Sequence, residues 1–363
     1  MEDTNILLFF LHIVGAAALL IWAVRLVRTG IERAFSVQLR LWLRRSADNR
    51  ILAVATGAVS AMLLQSSTAV AILVSNFVAG GSIAALVGLA ILLGADVGSA
   101  LVAQILLVRQ TFLVPLLLLI GVGLFLRGKQ RRIRQAGRIL VGLALVFVSL
   151  DMIRSATAPL VENEDAAFAM AYLSSDLLTA FVIGAGFAWI VHSSVAAVLL
   201  FVTLVAQGVL PQPAAVAMVL GANLGGSLIA YVLTLSAPIE ARRMIVANLV
   251  LRGGGAGFVL CIVAVFGIPL TWLGASDASQ VINLHLLFNV GLVLLTLPFV
   301  KPVIRLAEAA MKPRSTDQSA GIGATSALDP ATLASPDRAL VCATREIMRM
   351  SELVESLLRS AIN

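Results

Sequence analysis

Long apolar segments alternate with short polar and basic segments along most of the chain. A helix that rises 1.5 Å per residue needs about 20 residues to cross an apolar layer about 30 Å thick. Seven segments fit one such crossing each: about 5–24, 82–108, 111–127, 138–153, 213–236, 244–267 and 279–300. The pattern therefore predicts an all-α polytopic membrane protein with about seven spans.

Two further apolar segments, about 51–79 and 177–208, carry a polar cluster at their middle. The cluster reads QSST at residues 65–68 and HSSV at residues 192–195. If either segment crossed the membrane once, basic segments later in the chain would be placed on the wrong side. We therefore expect each segment to form a re-entrant helical hairpin with its polar tip near the middle of the membrane.

The two hairpins belong to an internal repeat. Residues 57–105 align with residues 184–232 at a fixed offset of 127, with 17 identities in 49 positions. The identities include the tip serines and the pattern L-G-A-[DN]-x-G. Three predicted spans separate corresponding points, so the second copy is inverted, an arrangement that places a binding site near the midplane. Each repeat, about 51–153 and 177–300, is expected to contain a hairpin and a broken helix within a transport domain of residues 1–305.

Composition and charge agree with a membrane location. Of the 363 residues, 60% are hydrophobic and only 12% are charged, and the mean hydropathy is +1.01. The net charge of +7 is concentrated between apolar segments, in residues 25–50, 127–138, 242–243 and 301–314. This is the positive-inside distribution of a membrane protein rather than a nucleic-acid surface. It predicts an amino terminus outside and a cytoplasmic carboxyl terminus, in the cell inner membrane.

The paired QSS hairpins, the second with His192 in place of Gln, and the expected helix breaks at G-A-[DN]-x-G resemble the type II sodium-phosphate cotransporter family. The sequence L-H-L-L-F-N at residues 284–289 is similar to a further motif of that family, and the similarity covers about residues 5–305. The resemblance implies phosphate as substrate, sodium as the coupling ion without any cofactor, and the two hairpin tips as the site. Composition and spacing alone indicate an inverted-repeat carrier with a polar midplane.

The resemblance and helix electrostatics together define the candidate site. Half-helices that begin at Ser66 and Ser193 would point amino-terminal ends, each carrying roughly half a positive charge, at the tips. The expected phosphate ligands are Ser66, Ser67, Thr68, His192, Ser193 and Ser194. Oxygen ligands suit a hard cation, and the expected sodium ligands are Gln65, Ser66, Asp96, Ser194 and Asn223.

Three residues leave alternatives open. Asp96 aligns with Asn223 and is interpreted as a cation ligand, or as an acid that is protonated or paired with Arg252. His192 aligns with Gln65 and is interpreted as a neutral donor and acceptor, a titrating group or a structural residue. Arg252 lies about eight residues into its span, where extension of its side chain to the cytoplasmic face is favoured over contact with phosphate.

The carboxyl-terminal part differs in composition from the apolar domain. Residues 306–336 are predicted to be a flexible linker because most of them are Ser, Thr, Ala, Gly or Pro. Residues 337–363 show the periodicity of an amphipathic cytoplasmic helix and are interpreted as the possible start of a PhoU-like domain. This helix is expected to dock on a second subunit or a cytoplasmic partner, with a position on the membrane surface as the alternative.

Sodium-coupled transport of inorganic phosphate is the expected function, with phosphate, sodium and the lipid bilayer as partners. A proton-coupled or passive phosphate exporter and a non-transporting phosphate sensor are the open alternatives. The sequence has no G-x-S-x-G elbow, no Walker loop and no His/Cys metal set, so we do not expect an enzyme or a metal other than sodium. Cys261 and Cys342 lie far apart and predict neither a metal site nor a disulfide.

Overall fold

The computed structural model describes residues 2–45, 49–107, 112–160, 164–267 and 269–311, and residues 339–348, 350, 351 and 354 of a second compact unit. The first unit is built from helices, and no strand occurs among its described residues. Its helices are α1 (Glu2–Arg45), α2 (Arg50–Leu64), α3 (Ser67–Ala79), α4 (Ala85–Leu106), α5 (Leu113–Arg127), α6 (Arg131–Thr157), α7 (Glu164–Ser175), α8 (Leu177–Val191), α9 (Ser194–Ala206), α10 (Gln212–Leu233), α11 (Ile239–Leu249), α12 (Gly255–Phe266), α13 (Asp277–Thr296) and α14 (Val300–Ala310).

Six helical segments of the described chain are long and apolar enough to cross a membrane. They are Leu11–Phe35, Ala85–Leu106, Arg131–Thr157, Gln212–Leu233, Ile239–Phe266 and Asp277–Ala310. A seventh is obtained if α7 and α8, which meet at a 102° bend, count as one span. The prediction of an all-α, multi-pass membrane protein is thereby confirmed. The predicted span at 111–127 corresponds to α5, which has only 15 residues.

Four short helices form two helical hairpins. The bounds of α8 and α9 follow those of α2 and α3 at the offset of 127 residues, and the helices have 15 and 13 residues in both pairs. At 1.5 Å per residue they are about 20 Å long, too short to cross a bilayer. These lengths agree with re-entrant hairpins, and their opposite orientation in the membrane stays a prediction.

The predicted broken helices are wrong, because α4 and α10 are continuous through their G-A-[DN]-x-G segments. The glycines allow close packing instead. A Cβ at Gly94 would lie 2.0 Å from the carbonyl oxygen of Val54 on α2, and a Cβ at Gly221 would lie 2.0 Å from that of Phe181 on α8. Small residues let membrane helices approach in this way. The helical irregularity of the second half occurs elsewhere, in the π-helical turn Val250–Gly254 between α11 and α12.

The first span extends beyond its predicted end at residue 24. Helix α1 continues to Arg45 with one non-helical residue, Phe35, and its apolar span is Leu11–Phe35. Arg25 and Arg28 therefore lie within a continuous helix, on the carboxyl-terminal side of its predicted apolar residues 5–24. Their depth in the membrane stays a prediction.

The end of the first unit also differs from the prediction. Residues 306–310, assigned to the linker, belong to α14, where Val300 and Ile304 are buried one turn apart. The guanidinium of Arg243 fixes the end of this helix by donating from Nη2 to the Met311 carbonyl oxygen at 2.8 Å. The remainder of the predicted linker, 312–336, lies outside the described residues.

The second unit contains part of the predicted amphipathic helix. Residues 339–348 are helical, and Leu340, Val341 and Ile347 of the predicted apolar stripe are exposed. The rest of the stripe lies partly outside the described residues. A docking partner for this helix and a PhoU-like domain stay predictions.

Two hydrophobic cores connect the repeats. One is formed mainly by α8, α9 and α10 with parts of α1 and α6, and the other by α2, α3 and α4 with α11 and α14. The end of α4, with Val102 and Leu106, packs in the core of the second hairpin, while Ala230 of α10 packs in that of the first. The long helix of each repeat thus packs against the hairpin of the other repeat. This packing brings the two hairpin tips together.

Candidate functional site

Both hairpins turn through the same backbone conformation. Gln65 has φ 51° and ψ 31°, and His192 has φ 56° and ψ 30°, in the left-handed region that few residues other than glycine occupy. Each is followed by an extended serine whose Oγ accepts a hydrogen bond at 3.1 Å, Ser66 from the Ala69 N–H and Ser193 from the Ala196 N–H. A hydroxyl that accepts in this way still has an O–H with which to donate to a ligand.

These serines cap the helices that point at the tips. Helices α3 and α9 begin at Ser67 and Ser194, one residue later than expected, with Ser66 and Ser193 as N-caps. The amino-terminal ends of both helices therefore lie at the tips, with N–H groups that have no partner within the helix. Helix amino termini of this kind are favourable positions for anions.

One cavity of about 170 Å³ lies at the two tips. Its lining includes Gln65, Ser66 and Thr68 from the first tip, Val191, His192 and Ser193 from the second, and Arg25 and Arg28 from α1; the other lining residues are Ile21, Val24, Ile72, Ile229 and Leu233. Liquid water occupies about 30 Å³ per molecule, so the cavity has room for several waters or for one tetrahedral oxyanion.

The two arginines of this cavity differ in their partners. Arg28 Nε donates to Glu32 Oε1 at 2.8 Å, which offsets its charge. Arg25 forms no salt bridge with any of the described residues, and no carboxylate lines the cavity. The cavity thus combines one unbalanced guanidinium with two helix amino termini, an environment suited to an oxyanion.

A buried network centred on Arg252 connects the two repeats. Its Nη1 donates to Asp96 Oδ1 at 2.6 Å and to Ser67 Oγ at 3.0 Å, and its Nε donates to Asn223 Oδ1 at 3.2 Å. Asp96 and Asn223 are equivalent positions of the repeat, so one guanidinium links both. The favoured extension of Arg252 to the cytoplasmic face is wrong, because the residue is 1% exposed and its hydrogen-bond partners lie in the interior.

His285 and Asn289 complete the network from α13. A guanidinium can only donate, so Asn223 presents its oxygen to Arg252 and its Nδ2 to His285 Nδ1 at 3.3 Å. Asn289 Nδ2 lies 3.5 Å from the same ring nitrogen. An amide nitrogen can only donate, so His285 Nδ1 is the acceptor in its contact with Asn223.

Several buried oxygen atoms in this region have no hydrogen-bond partner among the described residues. They are Gln65 Oε1, Asp96 Oδ2, Asn248 Oδ1 and Asn289 Oδ1. Buried polar atoms are normally paired, so unpaired ones are candidates to bind an ion or water. Carboxylate and amide oxygens are ligands for hard cations such as sodium. No group of three or more His, Cys, Asp or Glu residues in the described chain is placed to hold a metal ion.

The structure divides the predicted site residues into two groups. Gln65, Ser66, Thr68, His192 and Ser193 line the tip cavity. Ser67, Asp96 and Asn223 instead hold Arg252, and Ser194 is buried next to Gly226 of α10.

Two further residues of the tip cavity and two of the Arg252 network were not predicted as site residues. Arg25 and Arg28 were counted with the basic segment 25–50, and no local feature of the sequence shows that their part of the helix reaches the hairpin tips. His285 and Asn289 were noted only as part of a family motif. Their i, i+4 spacing within an apolar span could have indicated one buried polar face.

Comparison with known proteins finds a matching family model and similar curated proteins. The family model described as Na+/Pi-cotransporter matches residues 19–155 and 161–301. The chain is 38% identical over 354 residues to the "Putative inorganic phosphate export protein YjbB" of Escherichia coli (strain K12), covering 97% of this chain and 64% of that protein. It is 26% identical over 305 residues to the "Uncharacterized protein YqeW" of Bacillus subtilis (strain 168), covering 84% of this chain and 95% of that protein.

The chain therefore spans less than two thirds of the length of its E. coli relative. No solved structure gives a significant match. The family match covers both repeats, including the two hairpins, α4, α10 and the helices that carry Arg252 and His285. On this match, the chain belongs to the Na+/Pi-cotransporter family.

Proposed function

We propose that this chain carries inorganic phosphate across the membrane by alternating access and binds it in the tip cavity. The observation that carries the proposal is the meeting of both hairpin tips at one cavity next to Arg25. An arginine that lines a cavity between membrane helices without a carboxylate partner is costly unless it serves a ligand or a pathway. A transported oxyanion would be that ligand.

The charges of the tip cavity match those of phosphate. The amino-terminal ends of α3 and α9 contribute about half a positive charge each, and Arg25 contributes one more. Arg28 adds little because Glu32 offsets it. The total of about two positive charges balances a phosphate dianion, while the hydroxyls of Ser66, Thr68 and Ser193 supply neutral donors.

Sodium coupling is the second part of the proposal. Two unpaired buried oxygens support it, Gln65 Oε1 at the tip cavity and Asp96 Oδ2 in the Arg252 network. We propose that they bind sodium, with Ser66, Ser194 and Asn223 as further ligands. The Asp96 carboxylate uses Oδ1 for Arg252 and leaves Oδ2 for the cation. A bound cation would lower the cost of holding an anion in the membrane interior, so that the two ions cross together.

The direction of transport would depend on the phosphate and sodium gradients across the membrane and not on the structure of the binding site. The printed name of the E. coli relative describes export of inorganic phosphate. A carrier that alternates between two faces is reversible, so the same cavity serves import or export. Proton-coupled or passive transport and a non-transporting sensor are distinguished from sodium coupling by the following experiment.

The test is uptake of radiolabelled phosphate by liposomes that contain the purified 363-residue chain. We expect an inward sodium gradient to drive uptake, and replacement of sodium by choline to abolish it. Uptake driven only by a pH gradient would overturn sodium coupling, and binding without uptake would indicate a sensor. Arg25→Gln should reduce uptake about tenfold or more, since a hydrogen bond to a charged group contributes about 1.5–3 kcal/mol. Arg305→Gln, on the exposed face of α14, is the matched control and should transport normally.

A further inference from the structure

A second and larger cavity, of about 410 Å³, lies where α1 meets α5 and α6. It is lined by Arg33, Phe125, Arg131, Arg134, Gln135 and Arg138. It shares no lining residue with the tip cavity. Four of its six lining residues are arginines and none is a carboxylate, so it has a strongly positive potential.

Glycines in α1 and α6 hold the three helices of this cavity close together. A Cβ at Gly30 would lie 2.7 Å from Ile139 Cγ1, and a Cβ at Gly137 would lie 2.5 Å from the Phe125 backbone nitrogen. Arg33 follows Gly30 by nearly one turn, and Arg134 and Arg138 lie one turn apart on α6. Close packing of the helices thus brings arginines from two helices to one cavity.

The arginines are positioned without acidic partners. The guanidinium carbon of Arg138 lies 5.9 Å from the centroid of the Phe125 ring, and its Nη1 donates to Gln135 Oε1 at 3.5 Å. Within the described chain, none of the four arginines forms a salt bridge. Adjacent like charges without a counter-charge repel one another, and a bound anion would relieve that repulsion.

The surface beside the cavity indicates which anion fits. Helix α5 exposes an apolar stripe made of Leu116, Leu119, Val122 and Leu126. An exposed apolar stripe on a helix of a membrane protein contacts lipid acyl chains. The cavity lies at the end of this stripe, in the basic segment between α5 and α6, where the positive-inside pattern predicts the cytoplasmic headgroup region. A phospholipid could place its phosphate among the arginines and its chains along α5.

We propose that this cavity binds the phosphate headgroup of an anionic phospholipid. Basic pockets between membrane helices on the cytoplasmic side are suited to such headgroups. Free inorganic phosphate offers the same chemistry but would leave the apolar stripe without a role. The proposal does not depend on the transport function of the tip cavity.

The test uses native mass spectrometry of the purified 363-residue chain in detergent, with phosphatidylglycerol or phosphatidylcholine of identical acyl chains added. We expect the wild type to retain phosphatidylglycerol in clear preference. Arg134→Gln combined with Arg138→Gln should weaken that retention more than tenfold, since each arginine contributes about fivefold. The matched control is Arg127→Gln combined with Arg132→Gln, two exposed arginines of the same region that do not line the cavity. It should retain the lipid as the wild type does.

Two controls keep the outcome decisive. Arg33→Gln removes one arginine from a different helix, and it should weaken retention about fivefold even if the double variant fails to fold. In a second arm, inorganic phosphate is added without lipid. Equal retention of both lipids, or equal losses in the two double variants, would overturn the proposal. It would also be overturned if inorganic phosphate were the only ligand whose binding depends on Arg134 and Arg138.

Discussion

The guanidinium of Arg252 and the carboxylate of Asp96 form a salt bridge of 2.6 Å whose side chains are only 2% and 3% exposed. The pair joins the π-helical turn after α11 to the middle of α4, and thereby fastens the second half of the protein to the first repeat. Removing one member of such a pair leaves the other charged and buried, which is costly.

The first prediction follows from this pair. Arg252→Gln and Asp96→Asn should each lower the free energy of unfolding by about 3–5 kcal/mol, while the double variant should regain most of that loss. Thermal unfolding of the purified proteins, followed by size-exclusion chromatography after heating, measures the order of stability. Asp151→Asn is the control, because the Asp151 side chain is 79% exposed and 4.0 Å from Arg154, and its loss should cost less than about 1 kcal/mol. If the loss of stability in the double variant equalled the sum of the losses in the two single variants, the two residues would not be coupled, and the prediction would be contradicted.

The second prediction concerns sodium at Asp96. A ligand that binds only the folded state raises stability in proportion to the logarithm of its concentration relative to its Kd. We expect sodium, compared with choline at equal ionic strength, to raise the Tm of the wild type and to raise that of Asp96→Asn by a smaller increment. The comparison uses the increment and not the starting Tm, so the lower stability of the variant does not interfere. An unchanged increment would show that Asp96 serves Arg252 alone.

The third prediction separates the two roles of the tip serines. Ser66→Ala and Ser193→Ala remove both the helix cap and the hydroxyl donor, and each should cost about 1 kcal/mol of stability. Ser66→Gly and Ser193→Gly should cost only a few tenths of a kcal/mol, because glycine is tolerated at an N-cap. All four variants should nevertheless raise the KM for phosphate about tenfold or more. A glycine variant with both normal stability and normal KM would show that the hydroxyl acts only as a cap.

The fourth prediction tests the equivalent packing of the two hairpins. A Cβ at Gly57 would lie 2.0 Å from the Ile91 carbonyl oxygen, and one at Gly184 would lie 2.1 Å from that of Met218. Gly57→Ala and Gly184→Ala should therefore each destabilise the protein by about 1–3 kcal/mol. Gly123→Ala and Gly257→Ala, whose added Cβ has no atom of another described segment within 4 Å, should leave stability unchanged or raise it by up to about 1 kcal/mol. Equal effects in all four variants would contradict the packing argument.

Much of the fold could be predicted because the lengths of the apolar segments and the internal repeat are visible in the sequence itself. The hairpins at 51–79 and 177–208 and the tip serines followed from polar clusters inside apolar segments. The glycines of α4 and α10 were misinterpreted as breaks, since the sequence does not show which backbone lies opposite a glycine. In the structure a carbonyl of the neighbouring hairpin helix occupies that position.

The arginines were the harder part of the site to predict. An arginine that follows an apolar segment usually marks the end of a span, and this rule removed Arg25 and Arg28 from consideration. The prediction for Arg252 considered only its distance from the end of its own span. Its real environment comes from three other helices, through Ser67, Asp96 and Asn223, and such contacts between distant segments have no local signal.

The most direct test of phosphate binding between the hairpin tips is protection of single cysteines from maleimide labelling. In a background with Cys261→Ala and Cys342→Ala, the variants Ile72→Cys and Val191→Cys place one thiol on each hairpin in the lining of the tip cavity without removing a polar ligand. Glu240→Cys, on an exposed position at the start of α11, is the control. We predict that phosphate slows labelling at both cavity positions with the same half-maximal concentration, that sulfate at equal ionic strength does not, and that the control is unaffected. Unchanged labelling of both cavity cysteines at phosphate concentrations that saturate transport would contradict binding at this site.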